Sequence, residues 1–270
     1  ARSASRVDLP APDAPTTATD SPLSMPKLTS ERMVRVPSGL LTCLLTLFAA
    51  RTASLLDKFS DMRRILTFFI CFVAVTAHAA NVPTVLVFGD SLSAGYGLDV
   101  DQSWTALLQS RLQNQGYEHR VINASISGET TEGGKTRIAA AIKNFSPELL
   151  ILELGGNDGL RGFPPDIMKN NLRVIINTAQ SGGTSVVLLG IRIPPNYGQR
   201  YTQAFEGVYR ELADELGVRW IKFFMEGVAL NEELMQDDGI HPNTAAQPIL
   251  LDNAWPIIHQ TLAERAAAGS

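Results

Sequence analysis

From Val82 onward the chain alternates between two hydrophobic periods, and that alternation limits its folds more than any other feature. Short β-branched runs read as buried strands: TVLVF (84–88), HRVIN (119–123), LLILEL (149–154), SVVLLG (185–190) and a weaker VRWIKF (218–223). Between them lie segments with helical spacing. Ser103 opens one that carries Trp104, Leu107, Leu108 and Leu112 and stops at Gly116. A second surrounds Ile138, Ala141 and Ile142 and ends near Ser146-Pro147; a third runs from about Pro165 through Met168, Leu172, Ile175 and Ile176 to Gly182-Gly183. A fourth covers about 200–216 and a last about 243–264. Strands apolar throughout, separated by helices, predict an α/β domain with a parallel sheet covered on both faces. Residues 80–270 are long enough for one such domain, and no internal repeat marks a second.

The region upstream reads differently. Residues 62–79 begin with Met62, Arg63 and Arg64, continue with an apolar run of eleven (Ile65–Val75) and close on Ala77-His78-Ala79. This is the three-part pattern of a secretory signal peptide. The run is also short of the roughly 20 apolar residues that a membrane-spanning helix needs. Cleavage after Ala79, export to the periplasm or medium, and no stable membrane span after cleavage are the expectations. Residues 1–61 are rich in Ala, Pro, Ser, Thr and Asp at their start, carry no sustained hydrophobic period, and predict disorder. A signal peptide belongs at a start, so the expected start is Met62, with the upstream part an over-extended reading frame.

Charge and cysteine use exclude several functions. Residues 1–79 carry 9 Lys/Arg against 6 Asp/Glu, while residues 80–270 carry 14 against 21. An acidic domain with no basic stripe argues against nucleic acid as a partner. Both cysteines, Cys43 and Cys71, precede the domain, which therefore has no thiol for a disulfide, a metal site or a nucleophile. No metal-ligand cluster stands out, and no cofactor motif is present.

In an open parallel sheet, ligands bind beyond the carboxyl ends of the strands. Polar and glycine-rich segments follow all five runs: Gly89-Asp90-Ser91, ASISGET (124–130), GGNDGLRGF (155–163), IRIPPNYG (191–198) and QDDGIHP (236–242). Ser91 is the candidate nucleophile, at a strand end two residues after a glycine. A serine needs a base. Of the four histidines, His78 belongs to the signal segment, His119 precedes a strand at the opposite sheet end, and His259 sits in a helix without an adjacent acid. His241 lies in the right set of loops, with Asp238 three residues earlier to hold its tautomer. Spacing favours Asp238 over Asp237. Asp90 is expected to accept backbone hydrogen bonds and fix its turn. Ser93, Ser125 and Ser127 lack the preceding strand end and glycine together. GDSLS also lacks the second glycine of the G-x-S-x-G elbow, which disfavours an α/β-hydrolase. Acyl transfer needs oxyanion donors, and the candidates are the N–H groups of Ser91 and Gly128 and the side-chain amide of Asn157.

These positions carry a resemblance. GDSLS (89–93), Gly128 in SISGET, GGND (155–158) and DGIH (238–241) match, in order, the four blocks of the SGNH, or GDSL-type, hydrolase superfamily. GDSLSAGYG, LELGGNDGLRGF, IPPNYG and MQDDGIHPN are similar to the bacterial acyl-CoA thioesterase I / lysophospholipase / arylesterase group, over about residues 82–262. The resemblance implies a flavodoxin-like three-layer α/β/α sandwich with strand order 2-1-3-4-5. It also implies Ser91, Asp238 and His241 as the catalytic set, Ser91, Gly128 and Asn157 as oxyanion donors, and no cofactor or metal. The expected partner is a small acyl ester or thioester, with Leu160, Phe163, Ile193, Pro194, Pro195 and Tyr197 available to line an acyl groove; oligomeric state is unspecified. Two alternatives stand beside a single-chain acyl esterase: a carbohydrate O-acetyl esterase with a small pocket, and a non-catalytic envelope-binding protein. Mass spectrometry of the exported protein should find a mature N-terminus at Ala80; a terminus upstream of Met62 would overturn the reading of the leader.

Overall fold

The computed structural model describes residues 82–269 and, upstream of them, only Thr46. The signal segment at 62–79 and, Thr46 apart, the expected disorder at 1–61 lie outside the described residues. The chain divides into two units, Ala1–His78 and Ala79–Ser270, and the second holds every element that follows.

Five strands form one parallel sheet: β1 (Thr84–Gly89), β2 (Arg120–Asn123), β3 (Leu149–Glu153), β4 (Ser185–Leu189) and β5 (Arg219–Ile221). Their order is β2-β1-β3-β4-β5, all pairs parallel. The helices are α1 (Ser91–Ala94), α2 (Trp104–Asn114), α3 (Thr131–Phe145), α4 (Gly156–Leu160), α5 (Pro165–Ser181), α6 (Gln199–Leu216) and α7 (Gln247–Gly269). Helix α2 packs on α7, while α3, α5 and α6 pack on one another in turn, which makes the expected three layers. Parallel strands are joined by crossovers, so every strand ends at the same edge and every loop after a strand gathers there.

Burial follows position in the sheet. All residues of β1 and β3 are buried, as is β4 beyond Ser185, whereas the edge strands β2 and β5 are partly exposed. The apolar-throughout reading therefore holds for the three central strands. At this edge β5 keeps three residues of the six expected: the ladder stops at Ile221, and the Phe224 N–H donates to the carbonyl of Gly190, just past β4, at 2.8 Å. Helix ends follow local chemistry. Ser103 Oγ accepts from the Ala106 N–H at 3.3 Å, as expected of a cap. Asn243 caps a separate short turn (Thr244–Ala246) through the Ala245 N–H, so α7 starts at Gln247 and runs on to Gly269 rather than spanning 243–264.

Leu150, in the middle strand β3 of the sheet, is fully buried. Leu150→Ala should destabilise the domain by about 2–5 kcal/mol through lost transfer energy and the cavity left behind. Urea unfolding checks this as a lower midpoint at unchanged slope.

Candidate active site

The chain leaves β1 at Gly89, turns at Asp90 and enters the single-turn helix α1 at Ser91. Asp90 Oδ1 accepts from the Leu92 N–H at 3.0 Å and caps that helix, the backbone role the sequence suggested. Ser91 is the first residue of α1, where an N–H has no intrahelical acceptor and stays available to a ligand. Gly89 admits no side chain: a Cβ there would stand 2.6 Å from Glu153 Oε2 and 2.8 Å from the Glu153 carbonyl.

The second part is the segment 235–243 beyond β5. Met235 and Pro242 form an antiparallel bridge, and the Gln236 N–H donates to the His241 carbonyl at 2.7 Å, which folds the segment back on itself. Inside it, Asp238 Oδ1 accepts from the backbone N–H groups of Ile240 and His241, both at 2.9 Å. Asp238 Oδ2 lies 2.6 Å from His241 Nδ1, and His241 Nε2 lies 2.9 Å from Ser91 Oγ. Bonding to the His241 ring, then to the backbone of His241 and Ile240, holds the Asp238 carboxyl down at about 2. The Tyr96 ring lies 4.4 Å from the imidazole, centroid to centroid, and Gln236 Nε2 donates to the Tyr96 carbonyl at 2.8 Å. Asp237, next to Asp238 in sequence, is exposed.

The other candidate donors stand on two more loops. Gly128, in the turn after β2, has φ +79°, a left-handed conformation that glycine adopts without strain. Its N–H makes no hydrogen bond among the described residues. Asn157, in α4, donates from Nδ2 to Asp90 Oδ2 at 3.0 Å, which engages one of its two amide protons. The rival serines are differently placed. Ser93 Oγ donates to Glu153 at 2.7 Å, Ser125 Oγ accepts from the Gly89 N–H at 3.0 Å, and Ser127 is exposed. His119 pairs with Glu148 at 3.3 Å, and His259 lies against Trp255 on α7.

A cavity of about 290 Å³ opens beside Ser91, Asn157 and His241. Leu160, Ile193 and Pro194 line it, as do Phe223, Met225 and Ile240, which the sequence reading did not single out. Phe163 and Tyr197 stand outside its wall; Tyr197 Oη instead donates to the Leu160 carbonyl at 2.8 Å, and Pro195 opens the short turn that carries Tyr197. Among the described residues no group of three or more His, Cys, Asp or Glu is placed to hold a metal ion.

Sequence reasoning also passed over Glu153, Asp158 and Gln236. Asp158, the last residue of GGND, is buried and accepts from the Thr131 N–H at 2.9 Å, so it ties α4 to the start of α3. A charged residue inside or beside an apolar run was the available signal for both acids. Gln236 gave none.

The pattern of the GDSL-like lipase/acylhydrolase family matches residues 87–248. Esterase TesA of Pseudomonas aeruginosa is 49% identical over 193 residues, covering 72% of this chain and 96% of that protein. Thioesterase 1/protease 1/lysophospholipase L1 of Escherichia coli strain K12 is 45% identical over 184 residues, covering 68% and 87%. The crystal structure of the psychrotrophic esterase EstA from Pseudoalteromonas sp., inhibited by monoethylphosphonate, superposes with a TM-score of 0.64 at 39% identity, covering 67% of this chain and 98% of that one. The family match spans most of the domain and both relatives are covered nearly end to end: the chain belongs to the GDSL-like lipase/acylhydrolase family.

Proposed function

We propose that the domain is a serine esterase that hydrolyses carboxylic esters and thioesters of single-chain acyl substrates through an acyl-enzyme. The observation that carries this is the continuous hydrogen-bonded row Asp238–His241–Ser91, 2.6 and 2.9 Å, at the mouth of a cavity walled by Leu160, Ile193 and Phe223. His241 takes the Ser91 proton as Oγ attacks the carbonyl carbon, while Asp238 holds the imidazole tautomer and balances the imidazolium. The oxyanion is received by the Ser91 and Gly128 N–H groups and by the free amide proton of Asn157. His241 then protonates the leaving alcohol or thiol, and the same base activates water to release the acid.

The names esterase and thioesterase 1/lysophospholipase L1 borne by the relatives support ester and thioester chemistry. An apolar cavity of about 290 Å³ favours a hydrocarbon chain over an acetyl group. Among the described residues no helix is long and apolar enough to cross a membrane. The leader-like sequence of residues 62–79 supports an exported enzyme, which would meet lysophospholipids or other lipid esters more readily than acyl-CoA.

A fluorophosphonate should label Ser91 stoichiometrically, and Ser91→Ala should abolish labelling and lower kcat by about 10⁴-fold or more. An unlabelled wild-type protein would favour a binding protein instead. Against p-nitrophenyl esters, octanoate should exceed acetate in kcat/KM, and a preference for acetate would favour a small-pocket O-acetyl esterase.

Asp238→Asn should lower kcat by about 10²–10⁴-fold. It also has a stability signature. A carboxyl held at about 2 against an ordinary 3.8 contributes stability that is present above 3.8 and is lost as pH falls towards 2. The stability difference between wild type and Asp238→Asn, measured by urea unfolding, should therefore shrink across that window.

A further inference from the structure

Two buried acids lie under the site, and no step of the proposed reaction uses either. Glu153 ends β3 opposite Gly89 in the β1–β3 register and is completely buried. Its Oε2 accepts from Ser93 Oγ at 2.7 Å and from the Asp90 N–H at 3.3 Å, so it holds the turn on either side of Ser91. Its Oε1 is buried with no partner among the described residues. Asp90 is also buried, and its two oxygens are divided: Oδ1 caps α1 through the Leu92 N–H, and Oδ2 accepts from Asn157 Nδ2, both at 3.0 Å.

A carboxyl without water is expensive to place. Its bonds, however, form a series that no apolar residue reproduces: Glu153 to the turn, the turn through Asp90 to Asn157. We propose that Glu153 and Asp90 are positioning residues, a buried strut that sets the Asn157 amide against the nucleophile turn and keeps its second N–H for the oxyanion. This rests on the esterase reading above.

Burial, then the nearby Asp90 charge, pushes the Glu153 carboxyl well above the ordinary carboxylate range. Burial raises Asp90 to about 6, against the lowering effect of its bonds to Leu92 and Asn157. Both shifts have the same first cause, the exclusion of water from the two carboxyls beneath the turn.

Steady-state kinetics on an octanoyl ester with four single variants and two double variants tests this. Asp90→Asn has one carbonyl oxygen in place of two and cannot serve Leu92 and Asn157 as the carboxylate does; kcat should fall about 10- to 100-fold with KM changed less than about threefold. Glu153→Leu should do the same, whereas Glu153→Gln, which keeps an acceptor in neutral form, should stay within about threefold of wild type. Asn157→Ala should lower kcat by about 10²–10³-fold. In that background, Asp90→Asn and Glu153→Leu should each cost clearly less than in wild type, because the amide they position is gone and only their hold on the Ser91 turn remains. Costs that multiply in full with Asn157→Ala, or Glu153→Gln as damaging as Glu153→Leu, would overturn the strut. Thermal unfolding checks each variant, and if Glu153→Leu does not fold, the Asp90–Asn157 cycle alone decides. Failure of fluorophosphonate to label wild-type Ser91 would instead overturn the esterase reading itself.

Discussion

Much of the domain depends on the pairing of β1 with β3, which brings Gly89 level with Glu153 at the carboxyl edge of the sheet. Both strands are buried along their whole length, so their register is held by the core rather than by the loops. That register fixes where the β1 turn begins and where the loop after β3 begins. Ser91 follows one strand by two residues and Asn157 follows the other by four. A slip of one residue would reverse the faces of either strand and separate the two groups. The absent side chain at Gly89 belongs to the same constraint, because the Glu153 carboxyl occupies the space a Cβ would need.

The parts of the site differ in what holds them. Ser91, Asp90, Glu153 and Asn157 stand on or beside the central strands; Ser91 and Asn157 are half-buried, while burial of Asp90 and Glu153 raises both acids. Asp238 and His241 stand on an outlying segment, and Asp238 remains largely exposed. Its carboxyl is low not because of burial but because three hydrogen bonds within four residues converge on it. Asp238 and His241 are thus a local unit, assembled by the turn, whereas the placement of Ser91 and Asn157 is a product of the sheet.

Legibility in the sequence followed the same division. Period alone located five strands and the longer helices, since buried central strands and amphipathic helices write their environment into every residue. It did not supply strand order, which rests on pairings between distant segments; that came from the resemblance. The weak edge run at 218–223 was overextended because its later residues pair with nothing in the sheet. Ser91, His241 and Asp238 were legible because each residue type and spacing is chemically demanded, and their Oγ, ring and carboxyl atoms now stand within hydrogen-bond reach. Glu153 was not, since a single acid in LLILEL looks like strand, and only the fold reveals what its oxygens touch. The bond from the Tyr197 hydroxyl to the Leu160 carbonyl is likewise visible only in the fold.

The docking of the 235–243 segment joins the two ends of the domain. The imidazole that reaches Ser91 lies 150 residues further along the chain, and Gln236 meets the first loop at the Tyr96 carbonyl. A chain ending before Gln236 would retain the segments of β1 to β5 and the Ser91 turn, yet carry neither Asp238 nor His241. The hydrogen-bonded row therefore exists only when both ends of the domain are in place.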